Sequence, residues 1–335
     1  MTNIIFSFLS VILIIILIKY TINNEILLSD TGDKHQKFIS KEKVPLIGGI
    51  IFLFSIIYID IGLYLKVFSF LFFLLGLTSD LKILSSANTR FLLQCLLIVF
   101  CILLLDLDIS STRIQLLDQF LNNKIFNTVF VSFCIIIIVN GTNFIDGVNL
   151  NALSYYFLIN LILLILSYEH QLPISSEGFI VLGISIFIIS TFNFKNKLFL
   201  GDNGSYLMGF FYSIILIQFY DSNQNISPFF IILLLWYPAF ENLFSILRKF
   251  INRKSPFIPD NLHMHHLIYL NFKSKVFLKN FHKVSPGIVI NLFNLNIFYF
   301  GTKDISNSQN QIILIILSVI FYLIVYLKLY NKRLM

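Results

Sequence analysis

Residues 125–151 read IFNTVFVSFCIIIIVNGTNFIDGVNLN. The run from Ile125 to Asn140 is almost wholly apolar and close to the roughly 17 to 25 residues that a helix needs to cross a bilayer. Directly behind it, Asn140, Asn143, Asp146 and Asn149 follow at three-residue spacing. On a helix that spacing keeps neighbouring members on nearby faces, although the set drifts around the axis. Amides and an acid that end a membrane helix are costly to bury unless something polar is bound there, and simple capping is the plainer alternative.

The same alternation of long apolar runs and compact polar ends fills the chain. Of its 335 residues 57% are AVILMFWYC and only 12% are charged, with a mean hydropathy of +0.84. That charged share is about half the soluble average and excludes an ordinary soluble fold. Transmembrane strands would show polar and apolar residues in alternation, which these runs lack. Cys95, Cys101 and Cys134 lie inside apolar runs without CxxC spacing, so neither a disulfide framework nor a zinc site is suggested. The net charge of +7 has no arginine-rich stretch behind it, and no nucleic-acid partner is expected.

Span length applied along the chain predicts an all-α, polytopic protein with about eleven membrane helices, forming one domain over residues 1–335. The segments are Ile4 to Lys19, Leu46 to Tyr64, Val67 to Leu77, Phe91 to Leu107, Ile125 to Asn140, Ala152 to Tyr168, Gly178 to Phe194, Ser205 to Tyr220, Pro228 to Leu247, Pro286 to Phe300 and Gln311 to Leu327. The third is short. The first is expected to be retained, because it has no positive n-region and Lys19 follows where a cleavage site would stand. With eleven spans, 20 of the 24 lysines and arginines fall on one set of loops, and Lys66, Arg113, Lys124 and Lys303 on the other. The positive-inside rule makes the first set cytoplasmic, with the N-terminus outside and the C-terminus inside.

The polar chemistry sits on that same set of loops, at about 21–45, 78–90, 140–151, 195–204 and 248–284. GLTSDLKILSSANTR places Asp80 at the end of an apolar run, with Lys82 and Arg90 behind it. KNKLFLGDNGSYLMG sets Asp202 among glycines, where backbone can approach a ligand and a carboxylate can hold a hard cation such as Mg²⁺; a capped turn is the alternative. The longest loop carries Arg248, Arg253, Lys254, Asp260 and the run His263-x-His265-His266. Its cations suit phosphate, although a lipid-facing basic flank explains some of them, and the histidines leave a transition-metal reading open. DKHQKFISKEKVPLIGG adds Lys34, His35, Lys37, Lys41 and Lys43 before Pro45 and Gly48-Gly49. Oxygen ligands and cations gathered at one surface of an apolar body are what phosphoryl transfer between a soluble and a lipidic phosphate requires.

The order Pro-x-x-Gly-Gly, Gly-x-x-x-Asp, Asn-x-x-Asn-x-x-Asp-Gly, Gly-Asp-x-Gly-Ser and His-x-His-His resembles the polyprenyl-phosphate N-acetylhexosamine-1-phosphate transferase family, over about Lys34 to His266. SPFIPDNLHMHH looks like the branch that uses UDP-N-acetylhexosamines and starts O-antigen or capsule synthesis. The resemblance implies transfer of N-acetylhexosamine-1-phosphate, with GlcNAc the expected sugar, to undecaprenyl phosphate at the cytoplasmic face of a bacterial inner membrane. The products would be undecaprenyl-diphospho-sugar and UMP, with Mg²⁺ as cofactor, the lipid bilayer as surroundings and a homodimer as the related state. It assigns Asp202 to Mg²⁺, Asp146 to the cation or substrate phosphates, and Asp80 to the lipid phosphate, with the part of base open to it. Asn143 would position the nucleotide sugar, His263, His265 and His266 with Arg248 would hold its diphosphate and sugar, and Asn149 and Lys37 are expected among the substrate-binding residues. Gly48 and Gly49 would be structural.

Three departures stand out. Ser79 precedes Asp80 where the family commonly has a second aspartate, Asn149 and Asn151 replace the second Asp-Gly of Asp-Gly-x-Asp-Gly, and the usual histidine before Pro-x-x-Gly-Gly has no exact counterpart. An inactive paralogue is one alternative. Another is a secondary transporter, for which Glu241 is the best intramembrane carboxylate, although no internal repeat supports it.

Overall fold

The computed structural model describes residues 2–29, 43–255, 260–273 and 281–334. The expected Lys37 contact lies outside them. Among the described residues the regular structure is helical: α1 (Thr2–Asn23), α2 (Gly48–Tyr58), α3 (Leu63–Asp80), α4 (Ala87–Leu105), α5 (Gln115–Leu121), α6 (Lys124–Ile145), α7 (Asn151–Leu166), α8 (Ser176–Phe194), α9 (Gly201–Ser222), α10 (Pro228–Ile251), α11 (Met264–Lys273), α12 (Ser285–Gly301) and α13 (Ser308–Leu334). Each of the eleven expected segments contains a helix, but Leu46 to Tyr64 does not form one span: it shortens to the 11 residues of α2 and passes through an irregular stretch into α3, where Gly62 precedes the helix. Seven of the helices, α1, α3, α4, α6, α8, α10 and α13, are long and apolar enough to cross a membrane. The chain is an all-helical membrane protein.

The differences from expectation lie at helix ends. The segment that looked short in sequence, Val67 to Leu77, runs as α3 from Leu63 to Asp80, so Ser79 and Asp80 are its last turn and not a loop. Asn140 and Asn143 belong to α6, and Asp202 to the first turn of α9. The helices α5 and α11 fall in regions expected to be irregular, being too short to register as spans.

The axle of the bundle is α9, enclosed by α2, α3, α6 and α10 and buried on every side. Its buried residues run round the whole helix, so protein and not lipid surrounds it. Glycines let its neighbours close in. A side chain on Gly76 of α3 would run into the backbone of Asp202 and Asn203, and one on Gly49 of α2 into Gly204. The Pro45–Gly48 segment is threaded beneath the same end: Phe199 donates to the Pro45 carbonyl at 2.8 Å, and Leu46 to Leu27 at 2.8 Å. Gly48 and Gly49 are therefore structural. The outward faces of α1, α4 and α13 are lined with exposed Ile, Leu and Phe, as lipid contact requires.

Inside α10, Pro238 has no N–H for the Leu234 carbonyl one turn back. The Tyr155 hydroxyl of α7 donates to that carbonyl at 2.7 Å, and Gly141 of α6 packs against the proline backbone. The kink position is thereby satisfied by tertiary contacts.

Candidate active site

The last turn of α3 meets the first turn of α9. Leu200, at the cap position of α9, has no side chain able to accept from the exposed N–H groups. Asp80 does so from the neighbouring helix: Oδ1 accepts from Asp202 N at 3.0 Å, and Oδ2 from Asn203 N at 2.9 Å and from Asn203 Nδ2. A carboxylate at a helix N-terminus also meets the favourable end of the helix dipole. Gly76 and Asp80 are one turn apart on α3, so the residue that admits α9 and the residue that caps it share a face.

Held in this way, Asp202 has its own carboxylate gripped by α6, α3 and α4. Its Oδ1 accepts from Asn143 Nδ2 at 2.7 Å, and its Oδ2 from Ser79 Oγ at 2.6 Å and from Arg90 at 3.2 Å. Arg90, in the first turn of α4, also donates to Ser79. Ser79 thus takes the second aspartate's place as a bridge between an arginine and Asp202. Sequence reading saw Arg90 only as a flanking charge and missed Asn203 altogether. Both lie within or a few turns from the motifs, but their roles depend on helix crossings.

Asp146 caps the C-terminal end of α6. Desolvation, with the charges of Asp202 and Asp80 added, pushes its carboxyl well above the ordinary range. Three carboxylates against one close guanidinium leave an excess of negative charge that a cation would relieve. The donors are hard oxygens, which fits Mg²⁺. Among the described residues no three His, Cys, Asp or Glu are grouped to enclose an ion by themselves. Mg²⁺ characteristically takes one or two carboxylates and completes its shell with water and phosphate oxygens. Asp202 and Asp146 are the residues that would hold it.

Asn149 does not join this group. It is 4% exposed and its Nδ2 donates to the Asn193 carbonyl at 2.8 Å, tying the α6–α7 turn to the end of α8. Asn193 Oδ1 accepts from Leu150 N at 2.8 Å in return. An aspartate at 149 would set a carboxylate against a carbonyl, so the departure to asparagine has a structural reason. Asn151 is likewise a brace, donating to the Ile145 carbonyl at 2.7 Å, while Asn291 of α12 donates to the Asn151 carbonyl at 2.9 Å.

His263 directly precedes α11, and His265 and His266 lie in its first turn. His265 is fully buried, and among the described residues neither ring nitrogen has a hydrogen-bond partner. Its Nε2 occupies the space that a side chain at Gly147 would need, beside Asp146. The rings of His263 and His266 lie 5.7 and 4.2 Å from its own, centroid to centroid. Burial, with those two neighbours, holds the His265 imidazole well below its ordinary value, so it is neutral, with one donor and one acceptor nitrogen. Arg248 is placed behind the motif. It grips Asp260 through both carboxylate oxygens, at 2.9 and 2.8 Å, and donates to the Leu262 carbonyl at 2.8 Å. Burial alone would raise the Asp260 carboxyl, but His263 and Arg248 outweigh it and hold it low. Glu241, on which a transport reading would rest, is already engaged by His263 and Tyr322.

A cradle of three helix-end aspartates, facing a histidine-led helix in a membrane bundle, has a counterpart among known sequences. Residues 62–220 match the family described as Glycosyl transferase family 4. Over that region, 159 of its 335 residues, the chain resembles the family. Among curated glycosyl transferase relatives, an undecaprenyl-phosphate alpha-N-acetylglucosaminyl 1-phosphate transferase of Thermotoga maritima is 26% identical over 77% of this chain and 78% of its own. A probable undecaprenyl-phosphate N-acetylglucosaminyl 1-phosphate transferase of Bacillus subtilis is 28% identical over 59% of this chain and 55% of its own. The Haemophilus influenzae protein that shares the first one's name is 31% identical over 30% of this chain and 28% of its own. The matched family region contains Asp80, Asp146 and Asp202 but ends before the histidines.

Proposed function

We propose that this protein transfers GlcNAc-1-phosphate from UDP-GlcNAc to undecaprenyl phosphate, releasing UMP, as the first membrane step of a cell-surface glycan. The observation that carries the reading is the convergence of Asp80, Asp146 and Asp202 around the first turn of α9, close to buried histidines. The names of the relatives supply the donor sugar and the acceptor lipid. The excess of lysine and arginine on the loops at this end supports a cytoplasmic site in the inner membrane of a bacterium.

In the reaction a phosphate oxygen of the lipid attacks the β-phosphorus of the nucleotide sugar. A new P–O bond forms, the bond from that phosphorus to the α,β-bridging oxygen breaks, and UMP departs with the oxygen. Mg²⁺, when bound, neutralises charge on the diphosphate. Asp202 and Asp146 would hold that ion, and Asn143 and Ser79 fix the orientation of Asp202. Asp80 keeps α9 in place, so that Asp202 is presented rigidly; its oxygens are already taken by α9 N–H groups, which supports an organising role over that of base. His265 offers a neutral N–H donor close to Asp146 for phosphate oxygens. Precise placement of charge is the larger part of catalysis in phosphoryl transfer.

The test is UMP release by purified protein given undecaprenyl phosphate and Mg²⁺. UDP-GlcNAc, UDP-GalNAc and diacetamido-trideoxyhexose nucleotides are supplied in parallel, with Asp202→Asn as control. Lipid- and Mg²⁺-dependent UMP from UDP-GlcNAc is expected, with a loss on the order of a thousandfold in the variant. Wild-type rates in Asp202→Asn would remove Asp202 from the mechanism.

A further inference from the structure

Glu241 lies deep in α10, with 0% of its surface exposed. An unpaired carboxylate there would be very costly. It has three partners from two other elements. The Tyr322 hydroxyl of α13 donates to Oε2 at 2.8 Å, while Oε1 lies 2.9 Å from His263 Nδ1 and accepts from Met264 N at 3.3 Å. One turn along α13, Tyr326 accepts from Arg248 at 3.1 Å, and Arg248 in turn fixes Asp260. Asp260 Oδ1 stands 3.6 Å from the other nitrogen of the same imidazole, His263 Nε2. His263 is therefore suspended between two carboxylates: Glu241, bonded directly to Tyr322, and Asp260, tied to Tyr326 one turn along α13 through Arg248. That helix lies outside the region matched by the family.

A carboxylate facing one imidazole nitrogen decides which of the two carries the proton and how the ring is turned. We propose that Glu241, fixed by the Tyr322 hydroxyl, is a positioning residue that holds the His263 ring inward through Nδ1, and through it sets the histidine motif where it meets the nucleotide sugar. This rests on the function proposed above. It gives the C-terminal helix a part in the site: α13 does not touch substrate, yet its two tyrosines set the height and angle of the histidine motif.

A double-mutant cycle tests it, because a residue that acts through another has nothing left to lose once that other is gone. Glu241→Gln and Tyr322→Phe are each expected to raise KM for UDP-GlcNAc by about tenfold and leave KM for undecaprenyl phosphate unchanged. The double variant Glu241→Gln/His263→Asn is expected to be no worse than His263→Asn alone. Tyr322→Phe removes a single hydroxyl and keeps the test available if the buried glutamine variant fails to fold. Losses that multiply in the double variant, or a KM that rises equally for both substrates, would overturn the positioning role. An active wild type with multiplying losses defeats this inference alone. A wild type that releases no UMP from any nucleotide sugar defeats the proposed function, and with it the nucleotide sugar as the partner of the histidine motif.

Discussion

The two ends of α9 are both polar, and they are built on opposite terms. Beyond its C-terminus, Arg113 donates to the carbonyls of Asn225, Ile226 and Ser306 at 3.0, 3.0 and 2.8 Å, stitching the α4–α5, α9–α10 and α12–α13 connections together. Nearby, Asp118 accepts from Thr112 N and Thr112 Oγ1 at 2.6 Å, and Asn127 uses both sides of its amide on Ile109 and Leu121. At the N-terminus, like charges crowd one another and a buried imidazole has neither nitrogen paired among the described residues. A saturated polar cluster holds the fold. One left short of a cation and of hydrogen-bond partners has capacity for a substrate.

This contrast can be broken by substitution at either end. Asp80→Ala strips two backbone N–H groups of α9 of their partner and frees Asp202 to drift, so turnover should fall by about a hundredfold or more, with lower thermal stability. Rates of UMP release and a melting curve in detergent would show both effects; an unchanged rate would mean that the cap is not what holds Asp202. Asn149→Asp restores the residue common in the family, yet it should lower stability by about 1–3 kcal/mol with no gain in turnover, because the donor to the Asn193 carbonyl is lost. A faster enzyme would show that Asn149 faces substrate.

Acidification sharpens the comparison. His265 stays neutral in the folded protein while the unfolded chain takes up a proton near its ordinary value of 6.5. Its contribution to stability is therefore complete above that pH and falls by about 1.4 kcal/mol per unit below it. The raised carboxyl of Asp146 acts in the opposite sense in wild type and variant alike, so the effect of His265 is read as the stability difference between wild type and His265→Gln, which should shift against the wild type between pH 6.5 and 5.5. The smallest effect is expected at the saturated end. Arg113→Ala, at an exposed site, should cost about 1–2 kcal/mol and leave KM for both substrates as they were.

Every apolar segment read from the sequence contains a helix, because runs such as IFNTVFVSFCIIIIVN carry their own signal, although Leu46 to Tyr64 is broken between α2 and α3. The site was legible as a set of motifs in order, and Asp80, Asp146 and Asp202 do converge. What each one does was hidden, since hydrogen-bond geometry decides it. Asp80 and Asn149 look alike on paper as polar residues at helix ends; one caps a foreign helix and the other ties down a turn. Arg248 looked like a hand for phosphate and instead holds Asp260. The Glu241–Tyr322 bond spans 81 residues, and no spacing rule reaches that far.

The enclosure of α9 bears on how the chain is made. Three of its four walls, α2, α3 and α6, precede it in sequence, and only α10 follows. When α9 leaves the ribosome, its socket has already been synthesised, complete with the Asp80 carboxylate that will receive its first turn. A helix with aspartate and asparagine at one end and tyrosines along its length is a poor guest for bare lipid. Being born late, it passes from the insertion machinery into a prepared protein groove, and the order of translation does part of the work of folding.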